Sequence, residues 1–449
     1  MSERLQWSQL LTAKRLGLEQ YHSTNDTEHR GVFERDYDRL IFSSPFRRLQ
    51  NKTQVFPLPG SVFVHNRLTH SLEVACVGRS LANNVVRGLR SRYPEECAAA
   101  PLLDEIGSIV SAACLAHDMG NPPFGHSGER AIGSFFLEGK GRELEQKLTH
   151  QQWCDLIYFE GNANAFRLLT HQFNGRRRGG FAQTYPMLAS IVKYPFDSTR
   201  ASRKKQKFGY FAADEATYRL IADELGISRV SAAAGHAVRH PLVYLVEAAD
   251  DICYQLMDLE DAHKLHIITT DDTIALLMAF QPEGKHDHIM QILGMVDDNN
   301  EKVAYLRSTA VGVLIDACTK AFIDNYDTIM TGAELPSLMK MVADTVCEAY
   351  RRCSALAVEK IYHAPSVLDV ELSGYRIIST LMDVYVSAVM QPEANYSAQL
   401  LARVPTQYEV HDDDLYTRLM AVTDYISGMT DVYALDLYRK IMGISVANS

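Results

Sequence analysis

The chain has 449 residues, of which 47% are hydrophobic and 22% are charged, and this balance is typical of a folded globular protein with enough apolar material for a large core. Intrinsically disordered and collagen-like chains are thereby excluded. Lys and Arg total 45 against 55 Asp and Glu, which gives a net charge of −10. Attraction of the whole surface to nucleic acid or anionic lipid is therefore not expected, and a polyanion would need a local basic pocket.

Three segments have the apolar periodicity of α-helices. The first begins at His70. The second covers Asp104–His117, where apolar residues recur at spacings of three and four, so that its final histidine faces inward. The third begins at Pro241, a residue suited to the first turn of a helix, and Asp250 lies within its apolar stripe.

Strand-like alternation is scarce. The best examples are Thr53–Phe56 and Phe208–Phe211. Turn residues mark loops at Gly120–Pro123 and at Asn174–Gly180. We therefore predict an all-α, mainly helical protein.

The acidic stretch from Glu283 to Glu301 is the best candidate for an internal boundary. It divides the chain into residues 1–282, a catalytic region, and residues 283–449, a C-terminal helical region packed on the first. One continuous body built around one site is the alternative.

The eight cysteines are scattered and contain no Cys-x-x-Cys pair, which argues against a zinc ribbon and against a disulfide framework. A reducing, cytoplasmic location fits this pattern best. The apolar runs are too short to cross a bilayer, so no membrane partner is expected.

The dipeptide His-Asp occurs three times, but only His117-Asp118 ends an apolar helix and runs into a Gly-Asn-Pro-Pro turn. A buried imidazole and carboxylate need a partner, and a metal ion is one such partner. With His70 and Asp250 they would form a mixed nitrogen and oxygen site suited to one Mn, Fe, Co or Mg ion. The alternative is that these residues are unrelated core side chains with satisfied hydrogen bonds.

Longer motifs surround these residues: Arg67-x-x-His70-Ser71, then Ala116–Glu129 with the sequence AHDMGNPPFGHSGE, then Glu247–Asp251 with the sequence EAADD. Together with shorter matches over most of the chain, such as Phe159–Ala163, they resemble the HD-domain deoxynucleotide triphosphohydrolases, the dGTPase family.

The resemblance implies a helical HD core with additional C-terminal helices and one divalent metal ion held by His70, His117, Asp118 and Asp250. Asp251 is a rival for the last position, but a step of one residue turns a helical side chain by about 100°. We therefore favour Asp250.

The resemblance also implies hydrolysis of a dNTP, with dGTP the first candidate, at its α-phosphate to the deoxynucleoside and tripolyphosphate. His126 is expected as general acid or base, oriented by Glu129. The expected substrate-binding residues are Gln54, Arg67, Lys193, Lys207, Tyr254 and Asp258. Tyr254 would exclude ribonucleotides by its contact with the sugar.

Asn121 departs from the pattern, because many HD triphosphohydrolases have histidine there and one dGTPase branch has Asn. The resemblance further implies a homo-oligomer, commonly a hexamer. The basic loops Arg176–Arg178 and Arg200–Lys207 are interpreted first as solvated loops, with a dNTP or single-stranded DNA effector site as the alternative.

Two other functions stay open. One is an HD phosphohydrolase that acts on a nucleoside monophosphate or an alarmone. The other is a nucleotide-binding or single-stranded-DNA-binding regulator with a vestigial HD site.

Overall fold

The computed structural model describes residues 4–20, 30–57, 64–228 and 236–444. In these ranges the chain is mainly helical, and the paired β-structure consists of isolated antiparallel bridges, Arg15 with Thr184 and Thr53 with Asn66. The all-α prediction is confirmed.

The first twelve helices lie between residues 7 and 264. They are α1 (Trp7–Leu10), α2 (Glu34–Ile41), α3 (Ser44–Arg48), α4 (Arg67–Arg92), α5 (Pro94–Ala98), α6 (Ile106–Ala116), α7 (Gly125–Leu137), α8 (His150–Ile157), α9 (Gly161–Thr170), α10 (Tyr185–Ser190), α11 (Glu215–Glu224) and α12 (Val243–Lys264).

The remaining described helices are α13 (Thr270–Met278), α14 (His286–Gly294), α15 (Asn299–Asp324), α16 (Tyr326–Met330), α17 (Asp344–Leu356), α18 (Pro365–Met390), α19 (Asn395–Leu401), α20 (Leu415–Ser427) and α21 (Asp431–Ile441). Short 3₁₀ turns and one π-helical turn, Ala357–Ile361, join several of them.

The two segments with strand-like alternation form no strand, in agreement with the all-α prediction. Thr53 makes a single bridge with Asn66. In the other segment Phe208 and Phe211 both pack into a hydrophobic core, and no neighbouring strand pairs with this segment in the described residues. Burial of consecutive aromatic rings produced the apolar pattern there.

The three helices predicted from periodicity are α4, α6 and α12, and all three are confirmed. α4 begins at Arg67 because Asn66 and Thr69 form a capping box, each side chain bonded to the other's backbone amide. α4 packs against both α6 and α12. This arrangement brings His70, the end of α6 and the middle of α12 together.

The buried hydrophobic side chains form two cores, and the first of them contains the packed faces of α4, α6 and α12. The first core includes side chains from Leu5 to Val367, and the second includes side chains from Ala131 to Leu437. α18 packs against α7, α19, α20 and α21, while α15 packs against α4 and α12. The division at residue 283 stays a prediction.

None of the described helices combines the length and the apolar character that a bilayer crossing requires.

Candidate metal centre and active site

Two imidazoles and one carboxylate, from three separate parts of the chain, lie close together. His70 lies on α4, His117 directly follows α6, and Asp250 lies on α12. Their ligand-type atoms all lie within 4.8 Å of one another. His70 Nε2 is 3.1 Å and His117 Nε2 is 3.4 Å from Asp250 Oδ1. The convergence of these three side chains follows from the packing of α4 against α6 and α12.

The His117 ring has one nitrogen satisfied and one free. Its Nδ1 lies 2.6 Å from the carbonyl oxygen of Cys114, so Nδ1 carries the proton and donates it there. Its Nε2 is buried without a hydrogen-bond partner among the described residues. A lone pair held in this way next to carboxylates is the donor arrangement of metal-binding histidines. The residues present therefore fit a divalent ion.

Asp118 lies beside this cluster, with Oδ1 3.6 Å from His117 Nε2. Its other oxygen accepts a hydrogen bond from Arg67 Nη1 at 2.7 Å. Asn121 Nδ2 donates to Oδ1 at 2.5 Å. Burial opposes ionisation of Asp118, but the charges of Arg67 and His117 outweigh it and lower the pKa to about 2. Asp118 is therefore an ionised carboxylate beside His117, but it lies outside the group of three residues whose ligand-type atoms are all within 4.8 Å of one another.

His126 and Glu129 lie in the first turn of α7 and form a pair. The chain enters α7 through left-handed φ angles at Phe124 and Gly125. A Cβ atom at Gly125 would come within 2.7 Å of Arg67 Nη2, so this position requires glycine. His126 Nδ1 is 2.6 Å from Glu129 Oε2, and the carboxylate charge raises the pKa of His126.

Glu129 is itself fixed by the next helix. Its Oε1 accepts a hydrogen bond from the backbone amide of Gly161 at 2.8 Å, at the start of α9. Burial opposes ionisation of Glu129, but His126 outweighs it and lowers the pKa of the carboxyl to about 2. The His126 side chain is 69% exposed. The His126 imidazole therefore faces the cavity, while the Glu129 carboxylate is fixed in the cavity wall.

The two lysines predicted to bind phosphate are each held by a glutamate. Lys193 Nζ lies 2.9 Å from Glu247 Oε1. Lys207 Nζ lies 2.6 Å from Glu160 Oε1. Glu160 is buried and also caps α9. Both ammonium groups are therefore positioned before any ligand binds.

The residues predicted to contact the sugar differ in how deeply their side chains are buried. The Tyr254 ring stacks on Tyr362 with centroids 6.0 Å apart. Asp258 is buried and accepts a hydrogen bond from the Tyr362 hydroxyl at 2.9 Å. Gln54 Oε1 is buried without a partner among the described residues. Tyr254 and Gln54 lie on the cavity wall, whereas Tyr362 separates Asp258 from the open space.

One cavity of about 530 Å³ joins these groups, and its size is that of a small-molecule site. We call it the first cavity. It is lined by eleven of the twelve residues predicted from the sequence: Gln54, Arg67, His70, His117, Asp118, His126, Glu129, Lys193, Lys207, Asp250 and Tyr254.

The sequence analysis missed Tyr362 and Glu371 on the wall of the first cavity. Both come from the C-terminal half, and no sequence signal connects them with the HD motif. It also missed the carboxylate partners Glu160 and Glu247. These two lie in the quoted Phe159–Ala163 and Glu247–Asp251 motifs, so their position beside predicted site residues was an available signal.

Comparison with known proteins identifies the family of the chain. Residues 67–157 match the HD domain and residues 341–440 match the phosphohydrolase-associated domain. A deoxyguanosinetriphosphate triphosphohydrolase-like protein of Pseudomonas aeruginosa (strain LESB58) is 38% identical, with 98% of this chain and 99% of the relative covered.

More distant relatives carry related names. A deoxyguanosinetriphosphate triphosphohydrolase-like protein of Synechocystis (strain PCC 6803) is 34% identical over 98% of this chain and 100% of its own. A deoxyguanosinetriphosphate triphosphohydrolase of Yersinia pestis (strain Pestoides F) is 32% identical over 92% of this chain and 94% of its own. The chain therefore belongs to the dGTPase-like family of HD-domain phosphohydrolases.

Proposed function

We propose that the protein hydrolyses deoxynucleoside triphosphates, with dGTP the first candidate, to the deoxynucleoside and tripolyphosphate. The observation that carries this proposal is the first cavity itself. It contains a buried, unpartnered His117 Nε2 beside carboxylates, an exposed imidazole at His126, and cationic side chains. The Yersinia pestis relative is named a deoxyguanosinetriphosphate triphosphohydrolase, and this name supports the same substrate.

In this proposal His70, His117, Asp118 and Asp250 hold one divalent ion, which is Mn, Mg, Fe or Co. Two imidazoles and two carboxylates suit any of these ions. When bound, such an ion supplies Lewis-acid polarisation of a phosphoryl oxygen and lowers the pKa of water. The protein contributes the fixed orientation of the ligands, through the Cys114 carbonyl behind His117 and the Arg67 side chain behind Asp118.

His126 acts as the general acid in this scheme. Water attacks the α-phosphorus, its oxygen stays on the tripolyphosphate and its protons pass to the solvent, while the bond from phosphorus to the 5′-oxygen breaks. The imidazolium delivers its proton to that oxygen and so completes the deoxynucleoside. Glu129 raises the pKa of His126 and keeps the proton in place until the bond breaks.

The triphosphate is bound by Arg67, Lys193 and Lys207. Each of these cations is already paired with a carboxylate, Asp118, Glu247 and Glu160 respectively. The glutamates fix the two ammonium groups and so reduce the conformational entropy that phosphate binding would cost. The three carboxylates compensate the charge of these cations, so the excess positive charge beside the triphosphate would come from the divalent ion.

The sugar lies against Tyr254 and Gln54. The Tyr254 ring is held by its stack on Tyr362, and in this proposal it occupies the space that a 2′-hydroxyl group would need. Gln54 offers an unpartnered amide oxygen to the sugar or the base. Asp258 contributes indirectly unless Tyr362 moves, because its carboxylate is bonded to the Tyr362 hydroxyl.

Glu371 is the group we assign to base selection. Its carboxylate lies on the wall of the first cavity and is held at 3.1 Å by Arg130 Nη2. Guanine is the DNA base that presents two neighbouring N–H donors on one edge, and a carboxylate accepts both. This complementarity makes dGTP the first candidate.

The decisive experiment is product analysis of the purified protein with Mn²⁺ or Mg²⁺ against each dNTP and GTP. Tripolyphosphate and deoxynucleoside in equal amounts are expected, fastest with dGTP. Release of orthophosphate or pyrophosphate would instead indicate a different HD phosphohydrolase. DNA or nucleotide binding without turnover would indicate a regulator with a vestigial site.

The homo-oligomer, the hexamer in particular, the dNTP or single-stranded DNA effector and the cytoplasmic location stay predictions. Size-exclusion chromatography with light scattering tests the first of them directly.

A further inference from the structure

A groove outside the first cavity adjoins it at the end where phosphate is expected to bind. This outer groove has a volume of about 680 Å³ and lies between α7 and the loop of residues 203–207. The residues that line both spaces are His126, Glu129, Arg130, Tyr194 and Lys207. In contrast Asp250 and Tyr254, from the metal cluster and the expected sugar site, line the first cavity alone. The two spaces therefore meet beside the proposed general acid and a proposed phosphate ligand.

The outer groove carries positive charge that has no carboxylate partner. Residues 203–205 are an arginine and two lysines that line the groove, and all three are exposed. None of them forms a salt bridge with another residue that the structure describes. The lysines of the first cavity, Lys193 and Lys207, are instead each paired with a glutamate. Glu138 and Glu129 also line the groove, but the second of these carboxylates is already bound by the general acid.

Tyr194 lies between an inner and an outer ammonium group. Lys193 Nζ, in the first cavity, is 5.9 Å from the centroid of the Tyr194 ring. Lys205 Nζ, in the outer groove, is 5.6 Å from the same centroid. Lys207 lines both spaces. Three ammonium groups therefore lead from the first cavity into the groove, and such a series suits the successive charges of a linear polyphosphate.

The loop that carries the outer cations is fixed by its own backbone. Ser202 and Lys205 exchange both backbone hydrogen bonds, each of 3.0 Å. Further along, the amide of Gly209 donates to the carbonyl oxygen of Phe196 at 2.9 Å. A Cβ atom at Gly209 would clash with the carbonyl oxygen of Tyr194, so the two segments are in close contact. The loop is thereby held at the groove before any ligand binds.

We propose that the outer groove binds phosphate groups beyond the third, so that the protein accepts deoxynucleoside polyphosphates longer than a triphosphate and releases the whole phosphate chain. The hydrolytic part rests on the proposed function, whereas binding of the chain to the groove does not. Each added phosphate brings further negative charge, and the cations of residues 203–205 lie where that charge would extend.

The reaction is the same step at the α-phosphate. Water attacks the α-phosphorus, its oxygen stays on the phosphate chain and its protons pass to the solvent. The bond from phosphorus to the 5′-oxygen breaks, and His126 protonates that oxygen before a solvent proton restores the imidazolium. A deoxynucleoside tetraphosphate therefore gives the deoxynucleoside and linear tetrapolyphosphate.

The binding test compares inorganic tripolyphosphate with tetrapolyphosphate by isothermal titration calorimetry in the absence of metal. The wild-type protein should bind the longer chain about tenfold more tightly, because the fourth phosphate reaches the lysines of the groove. Lys204→Ala/Lys205→Ala should lose this difference, while its affinity for tripolyphosphate stays within about twofold of wild type. Both lysines are exposed, so the variant should still fold. No preference in the wild type, or the same preference in the variant, would overturn the proposal.

The matched control is Arg79→Ala/Arg87→Ala. Both arginines are exposed on α4 and line neither the first cavity nor the outer groove. This variant loses the same charge as the lysine variant and should keep the preference for the longer chain. An equal loss of preference in the control would mean that net charge alone is responsible, and would contradict a site in the groove.

The activity test compares deoxyguanosine tetraphosphate with dGTP at a fixed concentration of free Mn²⁺, because phosphate chains bind the ion. We expect tetrapolyphosphate and deoxyguanosine in equal amounts from the tetraphosphate. Lys204→Ala/Lys205→Ala should lower kcat/KM for the tetraphosphate about tenfold and leave that for dGTP within about twofold. Turnover of dGTP without turnover of the tetraphosphate would overturn the proposal, as would an equal loss for both substrates.

A dinucleoside tetraphosphate decides whether the far end of the chain must be free. Its hydrolysis to deoxyguanosine and deoxyguanosine tetraphosphate would assign a groove that also takes a second nucleoside. Turnover of the simple tetraphosphate alone would assign a free-ended chain. If neither dGTP nor the tetraphosphate is hydrolysed, the proposed function fails, and the calorimetric comparison still decides whether the groove binds the chain.

Discussion

The Tyr362 hydroxyl donates a hydrogen bond to Asp258 Oδ2 over 2.9 Å and thereby joins the C-terminal half of the chain to α12. Burial raises the pKa of Asp258 to about 8, and the bond from Tyr362 partly opposes this rise. The same tyrosine stacks on Tyr254. One residue from outside the HD motif thus sets the depth and shape of the expected sugar site.

The substitution Tyr362→Phe should therefore lower the free energy of unfolding. The buried Asp258 carboxyl would lose its hydrogen-bond donor, and such a loss costs about 1–3 kcal/mol. Urea unfolding followed by circular dichroism measures the change. Tyr375→Phe, at an exposed tyrosine of α18, is the control and should leave the free energy of unfolding unchanged. Equal stability of Tyr362→Phe and wild type would show that the bond contributes nothing net.

His117→Ala or Asp250→Ala should remove metal and activity together. Each substitution deletes one member of the cluster whose ligand-type atoms lie within 4.8 Å, while the packing of α4, α6 and α12 stays intact. Metal content by mass spectrometry and dNTP turnover are the two measurements, with circular dichroism to check folding. Full metal content or retained turnover in either folded variant would contradict the assignment.

Tyr254→Ala should relax discrimination against ribonucleotides. The ring, fixed by its stack on Tyr362, is expected to occupy the space that a 2′-hydroxyl would need. We expect the ratio of kcat/KM for dGTP over GTP to fall by about tenfold or more. Tyr254→Phe keeps the ring and should keep the ratio. If the alanine variant discriminates as well as wild type, Tyr254 does not contact the sugar.

Glu371→Gln should weaken the preference for dGTP. The carboxylate can accept two N–H donors, whereas the amide accepts with one oxygen and presents N–H groups of its own. We expect kcat/KM for dGTP to fall by about tenfold, with a smaller effect on dATP. Arg130→Gln removes the partner of Glu371 and leaves the carboxylate, so it should retain the preference. Equal losses for both substrates in Glu371→Gln would exclude a role in base selection.

The sequence predicted the parts of the site that depend on local periodicity or on the long HD motif. The helical spacing around His117 and Asp250 indicated that both face inward, and the packing of α4, α6 and α12 brings them to His70. The resemblance added His126 and Glu129, and the structure pairs them at 2.6 Å.

The remaining features depend on contacts between residues far apart in the chain. The spacing of four residues put Asp258 on the same helix face as Tyr254, but it could not reveal that Tyr362, 104 positions later, covers the carboxylate. The basic loop at Arg176–Arg178 was interpreted first as a solvated loop, but Arg176 and Arg177 line a separate cavity together with Lys52 and the end of α20. Sequence periodicity indicates local structure and does not reveal contacts between distant parts of the chain.

Glu129→Gln should shift the pH profile of hydrolysis toward acid. Glu129 raises the pKa of His126, so the imidazolium that donates the proton persists to higher pH than that of an unpaired histidine. A general acid loses activity as the pH rises through its pKa. With the neutral amide, the basic limb of the kcat/KM profile should move to lower pH, toward the ordinary histidine value of about 6.5. The maximal rate should fall by about a hundredfold, because the ring also loses its orienting partner. Lys207→Met serves as the comparison: removing this nearby cation, which lowers the pKa of His126, should move the same limb to higher pH. A limb that stays in place in both variants would mean that His126 does not donate the proton.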